Sequence, residues 1–194
     1  MTQDYRIIRL QVQRSPVKIG KAPLRHYEPA ALVPVTRIEA GPGGVHGVTE
    51  DGEIVLDVHH RDHPETRDAG GRAGILFLGS GDYVALRARY GEHVVDGIAG
   101  ETILLQAPDG LAGRRLPPRV VVHTAAGPLE LHGVRAAEPC VEFSRFCLGL
   151  QPSSVVGDAV RQALQDLDGG ARGYRSIASA AGTISVGDLL SLGQ

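Results

Sequence analysis

The chain holds two cysteines, Cys140 and Cys147, both within AEPCVEFSRFC (137–147). If a helix begins at Pro139, the missing N–H of that proline costs nothing, because first-turn donors have no helical partner. Cys140 then lies in the first turn, where free amides and the helix dipole favour a thiolate, the nucleophilic and metal-binding form of the side chain. Glu138 and Glu142 oppose that charge, so Arg145 or a basic residue from elsewhere must offset them. The same spacing puts Cys140, Phe143 and Cys147 on nearly one face, which equally suits two small core side chains flanking an aromatic ring. Residues seven apart in a helix are separated by roughly 10 Å, so a bond between the two sulfurs would require the helix to break. Cys147 is read as core. For Cys140 the residues alone leave a buried spacer and a reactive thiol both standing.

A second concentration of chemistry is DVHHRDHPETR (57–67), with three of the eight histidines. A strand running to His60 would point His59 and His60 to opposite faces, leaving one of them to share a cavity with Arg61, Asp62 or His63. Zinc needs three or four convergent ligands, and this stretch supplies two, with Cys140 as a conceivable third, so no zinc is expected. An anion-binding rim of Arg61, His63, Arg67 and Arg72 competes with an exposed polar turn that binds nothing. GPGGVHG (41–47) fails as a dinucleotide fingerprint, because residue 46 is histidine and no helix follows to aim its N-terminus at a pyrophosphate. It reads as a tight surface turn, or as a rim whose backbone amides face an anion. His132 is read as a packed ring, with proton donor as the other role.

These residues need elements to hold them. YRIIRLQVQR (5–14) alternates Ile8, Leu10 and Val12 against polar neighbours, the period-two pattern of a half-buried strand. Further strands are expected in 33–40, 53–60, 101–111 and 182–193, with a hairpin across AAG in 119–136. GILFLGSGDYVALRARY (74–90) reads as two short strands around a Gly-Ser-Gly turn, although its second half also suits a helical turn. The helical signal lies in SSVVGDAVRQALQDLDGG (153–170), with an apolar stripe from Val156 to Leu167 and a stop at Gly169-Gly170. The expected fold is mainly β, a barrel with short helices and one longer helix near residues 153–168. A single domain spans 1–194, and the helical segment 138–170 packs onto the barrel.

Composition narrows the partners. A chain of 194 residues with 26 glycines, 12 prolines and no tryptophan favours many tight turns, hence a β architecture. Formal net charge is −2, and the basic residues are spread along the chain, so no nucleic acid is expected as a partner. No apolar run reaches the roughly 18 residues of a membrane span, and no signal peptide is read at the N-terminus. Two cysteines do not make a disulfide scaffold, so a cytoplasmic location with reduced thiols is expected. Oligomeric state is left open.

AEPCVEFSRF (137–146) resembles the cysteine signature of MOSC domains, named after the C-terminal part of molybdenum-cofactor sulfurase. GIAGETILL (97–105) resembles that family's Gly-Glu-Asn segment, with Gly100 and Glu101 kept and Thr102 in the asparagine position. GARGYRSIASAAGTISVGDLLSL (170–192) resembles its closing stretch, and GPGGVHGVTEDG (41–52) its early glycine loop. The likeness runs from about residue 30 to 192 and is closest to small stand-alone members. It implies a β-barrel in which Cys140 carries sulfur or ligates molybdenum, a soft-donor role suited to a thiolate. It implies a molybdenum-cofactor site at the matched Gly100 and Glu101, with Arg or His side chains holding the phosphate or oxo groups; the run at 57–67 has no family counterpart, and Arg61, His63 and Arg67 are the candidates for that role. The function it implies is a sulfur carrier or sulfurtransferase-like protein acting through Cys140, served by a small-molecule or cofactor ligand and a sulfur donor protein. The alternative is a non-catalytic binder of a phosphorylated or pterin cofactor.

Overall fold

The computed structural model describes residues 3–68, 70 and 74–193. Its longest strand, β1 (Gln3–Gln13), buries Tyr5 and Ile7 and then Leu10 and Val12. The parity changes because the register shifts between Ile7 and Arg9, and one slipped residue exchanges the faces of everything beyond it. The uniform alternation expected from Ile8 is corrected accordingly: Ile8 is 39% exposed, whereas Ile7 is fully buried. Two side chains on the polar side of that pattern, Gln11 and Gln13, are buried as well.

Next come β2 (Lys18–Ile19), β3 (His26–Tyr27), β4 (Leu32–Val35), β5 (Arg37–Gly41), β6 (Gly44–Val48) and β7 (Ile54–Leu56). The pattern read as one strand over 33–40 is thus two, in different sheets, and the strand expected to reach His60 stops at Leu56. β8 (Ile75–Gly79) is buried along its whole length and is followed directly by helix α1 (Ser80–Tyr90). This overturns the hairpin reading of 74–90. β8 pairs in parallel with β9 (Ile103–Leu105), and parallel neighbours require a long crossover, which α1 supplies. Asp82 fastens the start of α1, its carboxylate accepting the N–H groups of Gly79, Leu111 and Ala112.

The expected hairpin is present as β10 (Arg119–Thr124) and β11 (Gly127–Ala136). Helices α2 (Val141–Cys147) and α3 (Asp158–Asp166) follow, then β12 (Tyr174–Ala178), β13 (Gly182–Ser185) and β14 (Leu189–Leu192). The longer helix expected near 153–168 is the nine-residue α3, and α1 exceeds it with 11 residues. Ser153 and Ser154 do not cap it; Gly157 does, so the helix starts late.

One sheet runs β14-β10-β11-β12-β8-β9-β1-β4, and an extra β14–β1 pairing closes seven of its strands into a barrel. A second sheet, β13-β5-β6-β7, packs with it around one apolar core that includes Ile7, Ile38, Phe77, Ile103, Val122 and Ile184. Alternate residues of β8 and β9 face outward: Leu78 and Leu104 join Tyr83, Leu86, Phe143, Cys147 and Leu167 in a second cluster beneath α1 and α2. Burial on both faces explains why β8 reads as a continuous apolar run. No helix among the described residues is long and apolar enough to cross a membrane.

Candidate functional site

Helix α2 is shorter than the sequence suggests. It starts at Val141, and Cys140 is its N-cap, in extended conformation with φ −135° and ψ 150°. Pro139 therefore lies outside the helix. Phe143 and Cys147 pin α2 into the second cluster, with Phe143 edge-on to Tyr27 at 5.0 Å between ring centroids. Burial pushes the Cys147 thiol up to about 12, as befits a core side chain. Cys140 is only partly buried.

The side chain that meets Cys140 is Arg172. Its Nη1 donates to Cys140 Sγ at 3.4 Å and to the Glu138 carbonyl at 3.3 Å, and its guanidinium lies 5.0 Å from the centre of the Phe143 ring. Arg172 is 6% exposed, and its Nε has no hydrogen-bond partner among the described residues. Local sequence dictates the placement. In GGARGY (169–174) Gly173 has φ +91°, and a Cβ there would stand 2.6 Å from the Phe77 carbonyl, so only glycine lets this turn seat against β8. Ala137 then donates its N–H to the Gly173 carbonyl, laying the segment before Cys140 alongside Arg172.

Of the two acids expected to oppose the sulfur, Glu142 is paired away from it. Burial would raise the Glu142 carboxyl, but the hydrogen bond from Arg25 Nε at 2.6 Å, aided by Lys18, outweighs it and holds the group below the usual carboxylate range. Of the two expected sources of counter-charge, Arg145 donates to the Val155 carbonyl, and it is a basic residue from elsewhere, Arg172, that contacts the sulfur.

Arg172 also lines a cavity of about 170 Å³. Its walls come from Gln13, Pro16–Lys18, Val58–His59, Glu65, Arg67, Leu76, Ala99–Gly100, Thr102 and Arg175. Three guanidiniums, Arg67, Arg172 and Arg175, line it together with the acid Glu65 and with Lys18, whose ammonium lies 3.8 Å from Glu142. His59 is aimed by the buried Asp57, whose Oδ1 accepts from both the His59 backbone N–H and Nδ1, at 2.8 and 2.9 Å. Cys140 itself is not among the wall residues; Arg172 connects it to them.

The residues singled out from sequence are distributed unequally. Arg67 and Gly100 line the cavity. Glu101 does not: Tyr83 Oη donates to its Oε2 at 2.6 Å, its Oε1 has no partner among the described residues, and it is 1% exposed. Burial pushes its carboxyl up to about 7, against the opposing hydrogen bond from Tyr83. His63 is a satisfied structural ring, its Nδ1 accepting from the Glu65 N–H and its Nε2 donating to the Arg14 carbonyl. Arg61 lies exposed against the Pro42–Gly43 turn, where its N–H donates to the Gly43 carbonyl. Arg72 is outside the described residues. GPGG is the tight turn between β5 and β6. His132 stands beside the inward Leu131, on the opposite face of β11 and partly exposed. Sequence reasoning missed Arg172 and Arg175, although the glycines bracketing Arg172 were a visible signal of a backbone forced into close approach.

The cavity fits an oxyanion-sized group. Its guanidinium-lined wall has a chemistry that also suits the phosphate end of a larger cofactor. Among the described residues no group of three or more His, Cys, Asp and Glu side chains is placed to hold a metal ion.

No family profile matches the chain, and no curated protein matches it in sequence. Solved structures do match in shape. The YuaD protein from Bacillus subtilis superposes with a TM-score of 0.60 at 12% identity, over 100% of this chain and 99% of that one. A hypothetical protein gives 0.57 at 13% identity, covering 98% and 69%. YiiM from Geobacillus stearothermophilus gives 0.54 at 16% identity, covering 98% and 75%. What these likenesses establish is the architecture: a MOSC-like β-barrel carrying short helices.

Proposed function

We propose that this chain is a sulfur carrier or sulfurtransferase-like protein whose working atom is Cys140 Sγ. The observation that carries this reading is Arg172, a buried guanidinium that touches Sγ and simultaneously walls a cationic cavity. A guanidinium so placed complements a sulfur anion at Cys140 and an anionic ligand beside it. In the loading step the Cys140 thiolate attacks the terminal sulfur of a sulfane donor. A bond forms between Sγ and that sulfur, and the donor's sulfur–sulfur bond breaks with its electron pair leaving on the donor. The product is a Cys140 persulfide anion, again beside Arg172. The Asp57–His59 pair offers a ring nitrogen to the cavity that can hold a proton for an incoming ligand. Intact-mass spectrometry after exposure to a sulfane donor tests the reading. One added sulfur on the protein, absent in Cys140→Ser, supports it; no adduct on a thiol that alkylating reagents reach defeats it.

A second reading has an observation of its own, because Cys140 stands outside the cavity wall. On that reading the chain binds a phosphorylated ligand without turnover. Calorimetric titration with inorganic phosphate would then give the same affinity for the wild type and Cys140→Ser, and a weaker one for Arg67→Gln.

A further inference from the structure

Resting on the sulfur-carrier reading, we propose that the donor is a thio-oxyanion of the thiosulfate class, its oxyanion end held by Arg172 and Arg175 and its terminal sulfur turned toward Cys140. Size, charge and direction each point this way. A cavity of about 170 Å³ leaves room for the five non-hydrogen atoms of thiosulfate. With Lys18 paired to Glu142, the guanidiniums of Arg67, Arg172 and Arg175 still line the cavity, which suits an anion more than a neutral persulfide. Arg172 and Arg175 sit close enough to disfavour one another. The Arg175 guanidinium is held below its ordinary value, first by burial and then by the charges of Arg172 and Arg135, while Asp68 opposes the shift. A dianion between them relieves that repulsion. Arg172 Nε, buried and without a partner among the described residues, is a donor whose hydrogen-bonding capacity an oxyanion would satisfy. The same guanidinium reaches Sγ through Nη1, so an anion held on Arg172 shares its side chain with the nucleophile.

The chemistry closes without further reagents. The Cys140 thiolate attacks the terminal sulfur of thiosulfate and forms the Sγ–S bond. The sulfur–sulfur bond of thiosulfate breaks, and its electron pair leaves on sulfite. Total charge is unchanged, no proton is consumed and no external oxidant or reductant takes part. Sulfite, also a dianion when deprotonated, departs from the two arginines.

Two donors decide the matter: thiosulfate, and inorganic polysulfide, which carries sulfane sulfur without an oxyanion head. The full chain is exposed to each, with persulfide on Cys140 read by mass and sulfite released read by a colorimetric assay. The expected result is one sulfite per persulfide formed with thiosulfate. Arg175→Gln and the exposed-site variant Arg67→Gln should each slow thiosulfate loading, Arg175→Gln by about tenfold or more, while polysulfide loading stays near wild type. Loading by polysulfide alone overturns the thio-oxyanion donor and leaves the carrier reading intact. Loading by neither donor overturns both. Thiosulfate loading indifferent to both substitutions also overturns the inference, because the anion would then bind elsewhere. Arg67→Gln keeps the test decisive should Arg175→Gln fail to fold.

Discussion

Glu101→Gln offers a sharp test of the electrostatics behind the cavity wall. The Glu101 carboxyl is fully enclosed, receives one hydrogen bond from Tyr83 Oη, and is pushed by burial from an ordinary 4.5 up to about 7. Between those two values the folded protein keeps a proton that the unfolded chain has released. The unfolded state then binds fewer protons, so unfolding free energy falls as pH rises. Stability from this group is fully present below pH 4.5 and is lost progressively toward pH 7, a total of about 3 kcal/mol at 1.36 kcal/mol per pH unit. The Gln variant carries a neutral side chain of similar shape at every pH, so that slope should vanish. Urea denaturation of both proteins at half-unit steps from pH 4.5 to 8 measures it. Parallel stability curves for wild type and variant would refute the reasoning and mean that the carboxylate is solvated or paired after all.

Cys140 and Cys147 should separate cleanly in alkylation: iodoacetamide labels Cys140 in the folded protein and reaches Cys147 only on unfolding, as peptide mapping would show. Gly100→Ala should lower stability by about 1–2 kcal/mol or more, because φ is +77° and the new Cβ would stand 2.8 Å from Gln13 Nε2, which holds the Gly100 carbonyl; the shift in Tm measures this. Glu142→Gln should cost on the order of 1 kcal/mol at pH 7, by loss of the Arg25 and Lys18 pairs. Since the folded carboxyl is held low, that difference persists above pH 4.5 and disappears as pH falls below it; denaturation at pH 7 and pH 3 compares the two.

Much of the architecture could be read from local pattern. The hairpin at 119–136, the Gly187-Asp188 turn and the apolar stripe around Val160 and Ala163 follow from side-chain periodicity and turn chemistry. Helix α1 was legible only as an alternative helical turn in its second half, because its Ser-Gly start resembles a hairpin turn. What makes it helical is remote: the parallel partner β9 and the Asp82 links to Leu111 and Ala112. Gln11 and Gln13 look like a solvent face until the turn at 97–100 is present to receive their amides. The nucleophile candidate was legible as a Pro-Cys pair ahead of a helix. Its companion was not, since Arg172 lies 32 residues further on and only the fold of the glycine turn beside β8 and residue 137 brings the two together.

The barrel's closing seam joins residues 3–6 to residues 189–192, strands from opposite extremes of the described chain. Until the later strand arrives, β1 presents an open edge and the apolar interior has a gap in its wall. A ribosome-bound chain must therefore wait for β14 before the interior can seal, and such distant pairings place folding in the slower, millisecond-to-second range. Deleting residues 189–192 would expose the edges of β1 and β10 and favour aggregation.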